Sequence, residues 1–147
     1  MADRDTADSN QEGAVIVGIG LDVVHVSRLA HWLDTPGLLS RFFHPEELET
    51  ALSRGSSATL SLAARFAAKE AFGKAIGTGL SGITLKNIEV LNNHNGKPCI
   101  RLFGNARQAF ENTGATHIHL SLTHEHDNAL AMVVIERLPD SSPEAVQ

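Results

Sequence analysis

The cleanest alternation of apolar and polar positions lies near the C-terminus, in HIHLSLTH (117–124). Ile118, Leu120 and Leu122 fall on one side and His119, Ser121 and Thr123 on the other, which is the two-residue period of a half-buried strand. After the turn HEHDN, ALAMVVIERL predicts a returning strand. Near the other end, the β-branched run AVIVGIGLDVVHV (14–26) predicts a buried strand. ITLKNIEVLNN and PCIRLFG predict two more strands, joined by HNGK. Between these runs the pattern changes to a helical one. Ser27 is placed to cap a short helix, RLAHWLD, which TPG ends, and HPEELETALSR predicts a second helix with Pro45 at its first position. GSSAT is expected as a loop. NARQAFENTG predicts a short helix with Asn105 as N-cap and Gly114 past its end. Strands in hairpins mixed with helices give an α+β class, an antiparallel sheet packed on a long buried helix.

That long helix is expected over 60–76, closed by the glycines of GTG. Alanine and phenylalanine cover most of it, yet it carries Arg65, Lys69, Glu70 and Lys74. Buried charges are costly unless paired or liganded. At about 100° per residue, Lys69, Glu70, Gly73 and Lys74 share an arc of about 140°. The simplest account is an exposed stripe with a Glu70–Lys74 pair. Gly73 argues for more, because a glycine in mid-helix weakens it by about 1 kcal/mol and lets something approach the backbone.

Composition narrows the choices. The chain has 147 residues, 42% apolar and 20% charged, which suits one domain. A domain over 14–138 is expected, with polar tails at 1–13 and 139–147. No apolar run approaches the roughly 18 residues of a membrane span, and the acidic N-terminus lacks the apolar centre of a signal peptide. A net charge of −5 disfavours general nucleic-acid binding. The single cysteine, Cys99, has no partner for an internal disulfide and points to a reducing cytoplasm.

Two further groups of residues carry chemistry. GIGLD lacks the third glycine of a dinucleotide fingerprint, but Asp22 is the sole charge in an apolar strand. Paired in space with Glu70, it would give two hard oxygen ligands of the kind Mg²⁺ takes. His117, His119, His124 and His126 raise the alternative of zinc.

GIGLDVVHVSR, RFFHPEEL, RFAAKEAFGKAIGTG, NGKP and HLSLTHEHDNALAMVVIE occur here in that order. The chain resembles, over about 15–138, the holo-acyl-carrier-protein synthases, the small AcpS-type 4′-phosphopantetheinyl transferases. The resemblance implies an AcpS-like fold and transfer of the phosphopantetheine arm of coenzyme A to a serine of an apo acyl carrier protein. It implies release of adenosine 3′,5′-bisphosphate, Mg²⁺ as cofactor, coenzyme A as co-substrate, and a homotrimer with sites between subunits. By the same resemblance Asp22 and Glu70 hold the metal, Glu70 helps deprotonate the serine, and Lys74 contacts the pyrophosphate. Arg65 holds coenzyme A phosphates, and Lys97, Pro98, His119 and Thr123 line the coenzyme pocket. Arg28 and Arg41 meet the acidic carrier protein. On this reading each charge of the long helix finds its partner only when coenzyme A and metal are bound. The family usually offers a threonine before PEEL; His44 stands there, a weaker helix cap. The rival functions are a coenzyme A- or nucleotide-binding module without turnover, and a zinc protein using the C-terminal histidines.

Overall fold

The computed structural model describes residues 13–140. The expected tails at 1–13 and 139–147 therefore lie almost wholly outside the described residues. The elements run β1 (Val15–His25), α1 (Val26–Leu33), α2 (Leu38–Phe42), α3 (Pro45–Leu52), α4 (Ala58–Ile76), β2 (Ile88–Asn92), β3 (Pro98–Leu102), α5 (Gly104–Asn112), β4 (His117–Glu125) and β5 (Asn128–Arg137). Single 3₁₀ turns at Gly55–Ser57 and Leu85–Asn87 precede α4 and β2. One antiparallel sheet has the order β1-β5-β4, and β2 and β3 form a separate hairpin.

Helix α4 packs on one face of the three-stranded sheet. Leu62, Ala67, Ala71, Phe72 and Ala75 meet Val24, Leu120, Ala131, Val133 and Ile135 in a single core. The helix can lie so close because β1 supplies glycines beneath it. A Cβ at Gly18 would stand 1.8 Å from the Ala75 carbonyl oxygen, and one at Gly20 1.8 Å from that of Ala71. No side chain fits such a gap. The glycines of GIGLD thus serve backbone packing, and this packing sets Asp22 beside the middle of α4.

Gly73 has a similar explanation. A Cβ there would lie 2.8 Å from the Gly79 carbonyl carbon and 3.0 Å from Leu80. The group that approaches the helix at Gly73 is the chain's own return loop, whose Gly79 N–H donates to the Gly73 carbonyl at 3.0 Å. Gly77, with φ of 86°, turns the helix end into that loop.

Several local expectations change. α1 begins two residues early, and its cap is His25, whose ring accepts from the Ser27 N–H. The short helix α2 follows the TPG turn. Its Phe42 joins Trp32 of α1 and Phe66 of α4 in an aromatic cluster, with ring centres 5.1 and 5.0 Å from Trp32. Only 88–92 of the predicted ITLKNIEVLNN strand is extended. Asn105 does not cap α5; its side chain instead accepts from the Thr84 N–H across the fold at 3.0 Å. His44 does cap α3: its ring accepts from the Glu46 N–H at 3.2 Å, while the His44 backbone N–H donates to the Glu47 carboxylate at 2.9 Å.

Candidate active site

The carboxylates of Asp22 and Glu70 lie close enough to feel each other's charge where β1 packs on α4. Lys74, one turn beyond Glu70, donates to Asp22 Oδ1 and to the Leu21 carbonyl, both at 3.0 Å. The expected Glu70–Lys74 pair is thus replaced by an Asp22–Lys74 pair. Burial pushes the Glu70 carboxyl above the usual carboxylate range, and the neighbouring Asp22 carboxylate adds to that push. Lys74 and Arg28 pull it back. Arg28, exposed on α1, lies over the Phe66 ring at 5.6 Å. Two carboxylates that disfavour each other's charge, flanked by two cations, are a donor set suited to a hard divalent ion and a phosphate group. Lys74 keeps half of its side chain in solvent, so it remains accessible to a ligand.

Lys69 behaves otherwise. Its side chain is fully buried, pairs with Glu47 at 2.7 Å, and donates to the carbonyls of Leu85 (2.9 Å) and Ile88. Burial pushes its pKa down, against the Glu47 charge that opposes the shift. Glu47 in turn accepts from the His44 and Val90 N–H groups. Lys69 and Lys74 therefore have partners within the chain, contrary to the expectation that coenzyme A and metal must supply them. The Glu47–Lys69 pair ties α3, α4 and β2 together and leaves no donor for a ligand.

Arg65 is also buried, at 5% exposure, and turned about 140° from Glu70 around the helix axis. Its guanidinium is held by the Ser61 hydroxyl, but its Nε has no hydrogen-bond partner. An orphaned buried donor is costly. It borders a cavity of about 330 Å³ lined by Arg54, Ser57, Ser61, Asn92 and His124. Two cations and four polar side chains around one hollow suit an anion. Asn92 pairs with Pro98 across the hairpin, but neither Pro98 nor the adjacent Lys97 is among the residues that line this hollow. Arg54, Ser61 and Asn92 escaped the sequence reading, and His124 entered it only as a candidate zinc ligand. His124 had a signal, since it continues the inward register of Leu120 and Leu122.

His119 and Thr123 are not brought to either place. They are exposed on the sheet face opposite α4, and His119 bonds Glu136 at 2.7 Å. Arg41 is exposed on α2, which packs against α1. Among the described residues, the C-terminal histidines do not gather into a group of three metal-ligating side chains, so the zinc alternative finds no support there.

A site of this composition suits a multiply charged, phosphorylated substrate. The chain belongs to the 4′-phosphopantetheinyl transferase superfamily, whose model matches residues 18–133. It is 57% identical to the holo-[acyl-carrier-protein] synthase of Treponema denticola, over 83% of this chain and 99% of that protein. Its fold matches the crystal structure of holo-[acyl-carrier-protein] synthase from Neisseria meningitidis with a TM-score of 0.72 and 36% identity, covering 82% of this chain and 98% of that one. It also matches the Bacillus anthracis synthase in complex with CoA (3′,5′-ADP), at TM-score 0.69 and 35% identity, covering 83% and 97%. The fold is thus the AcpS type.

Proposed function

We propose that the domain over 14–138 is a holo-acyl-carrier-protein synthase, which moves 4′-phosphopantetheine from coenzyme A to a serine of an apo acyl carrier protein. The observation that carries this reading is the Asp22–Glu70–Lys74 cluster, in a chain similar to synthases of that name. In the reaction the serine oxygen bonds to the phosphorus that carries the pantetheine arm. The bond from that phosphorus to the bridging oxygen breaks, and adenosine 3′,5′-bisphosphate leaves with the electron pair.

Asp22 and Glu70 would hold Mg²⁺, which when bound offsets charge on the pyrophosphate oxygens. Glu70, already pushed toward a higher pKa by burial and by Asp22, takes the serine proton. Lys74 sits beside Asp22 with its ammonium half in solvent and stabilises the departing phosphate oxygen. The Arg65 hollow, lined also by Arg54, receives the remaining phosphates of coenzyme A, and Lys97 and Pro98, on the turn and strand beside Asn92, line the coenzyme pocket beyond it. Arg28, whose charge reaches Glu70, and Arg41, exposed on the adjoining helix, meet the acidic carrier. Steering of this kind weakens with salt.

The assembly is a homotrimer in this reading. Ile19 (60%), Leu21 (55%), Val23 (52%) and Met132 (44%) expose a contiguous apolar sheet face, which calls for a partner surface. His119 and Thr123 lie on that face, so they reach a coenzyme only across a subunit boundary. The setting is the cytoplasm, and the product serves fatty acid biosynthesis. No helix among the described residues is long and apolar enough to cross a membrane.

The test is the intact mass of candidate apo carriers after incubation with coenzyme A and Mg²⁺. A gain of about 340 Da marks the covalent arm. Coenzyme A binding with no mass gain on any carrier would leave only the binding-module reading.

A further inference from the structure

Glu89, on β2, is a buried carboxylate that the transferase reading does not use. Its side chain is 2% exposed, and its Oε2 has no hydrogen-bond partner. The nearest cationic groups are His44 Nδ1 at 4.0 Å and Arg101 Nε at 3.9 Å, both beyond hydrogen-bond reach. The neighbouring buried carboxylate, Glu47, differs completely: both its oxygens are satisfied, and it takes the whole charge of Lys69. Glu89 is therefore left over, with its bare oxygen aimed at the N-terminus of α3.

Two further donors converge there. His44, Glu46 and Glu89 each offer one ligand atom, and these atoms lie within 4.8 Å of one another, the only such group of three among the described residues. The His44 ring is held from behind by stacking on Phe103, with centroids 5.6 Å apart and planes 12° from parallel. Burial pushes the Glu89 pKa up, against the pull of His44 and Arg101, and the Glu46 carboxylate adds a smaller push in the same direction.

We propose that His44, Glu46 and Glu89 form a binding site for a divalent transition-metal ion of the zinc class, separate from the Asp22–Glu70 pair. One imidazole and two carboxylates match the donors zinc accepts, with a fourth position open to water. The imidazole discriminates against Mg²⁺ and Ca²⁺, which take oxygen ligands. Donors 2.0–2.2 Å from one tetrahedral ion lie about 3.3–3.6 Å apart, so His44 and Glu89, now 4.0 Å apart, draw together slightly on binding. Glu46, exposed on the first turn of α3, closes the set with a small rotation. Two contacts yield on binding. Nδ1 of His44 exchanges its 3.2 Å cap bond from the Glu46 N–H for the metal, and the half-exposed Arg101 turns outward. The ion then joins α3 to β2. It sits beside a cavity of about 140 Å³ that Arg65 shares with Glu46 and Glu89.

The experiment measures zinc uptake by equilibrium dialysis and the Tm shift with added Zn²⁺, in full-length chain carrying Asp22→Asn and Glu70→Gln to remove the other carboxylate pair. One equivalent should bind, and Zn²⁺ should raise Tm. Adding Glu89→Gln should weaken binding at least tenfold and abolish the shift. His44→Ser keeps a competent helix cap while removing the imidazole, and should do the same. Unaltered affinity in either variant, or uptake with no Tm shift, would overturn the proposal and assign the zinc to exposed histidines. Absence of binding in the parent protein would also overturn it.

Discussion

Lys69 and Lys74 lie on the same helix, five residues apart, and each pairs with a carboxylate at close range. Lys69 meets Glu47 at 2.7 Å with neither side chain exposed; Lys74 meets Asp22 at 3.0 Å with 53% of its side chain in solvent. The first charge is closed: three acceptors inside the chain use all three of its donors. The second is open, because Asp22 and the Leu21 carbonyl leave it a donor. A buried ion pair holds elements together, while an exposed one can exchange its partner for a substrate. One helix thus carries a structural charge on one face and a reactive one about 140° away.

The largest expected effect comes from breaking the closed pair. Lys69→Met strands Glu47 and should destabilise the fold by about 3–5 kcal/mol, read by urea denaturation. Lys74→Ala should do the converse. Transferase turnover should fall about 10²–10³-fold, while the urea midpoint stays close to the parent's. A Lys74→Ala protein that unfolds as easily as Lys69→Met would erase the distinction between the two lysines.

Next in size is the repaired pair. Lys69→Met combined with Glu47→Leu removes both charges and should recover most of the lost stability, since apolar replacement of a buried pair is often neutral. The double variant should retain activity, because neither residue touches the substrate in this reading. Failure to recover would mean that the carbonyls of Leu85 and Ile88 depend on the ammonium more than Glu47 does. The smallest effect belongs to Arg28. Arg28→Ala should raise the carrier KM several-fold and leave the coenzyme A KM and Tm nearly unchanged, with the carrier effect shrinking as salt rises. Equal changes in both KM values would place Arg28 with Lys74 at the phosphates.

Much of this contrast was hidden from the sequence. The alternation of 117–124 and the apolar girth of α4 are local patterns, and they predicted β4 and a buried helix correctly. Asp22 stood out because an apolar strand rarely carries one charge. The fate of Lys69 depends on Glu47, twenty-two residues earlier, and on the carbonyls of Leu85 and Ile88, sixteen and nineteen residues later. No periodicity encodes that meeting. Gly73 and Asn105 misled for the same reason, since their partners, Gly79 and Thr84, are set by how the chain returns after α4. The outward turn of His119 follows from its register opposite Val134 and from the inward packing of Leu120, which become visible only once the sheet is assembled on one side of the helix.

Gly18 and Gly20 have a consequence for how the sequence can drift. Main chain touches main chain where β1 passes under Ala71 and Ala75, so the span from Asp22 to Glu70 is limited by hard atomic contact and not by the bulk of any side chain. Core residues farther out can trade volume, Val133 for isoleucine or Leu62 for methionine, without lengthening that span. A single methyl group at position 20 would push the helix off the strand and part the two carboxylates. The site is therefore tolerant of change nearly everywhere around it and intolerant at two positions that carry no chemistry at all.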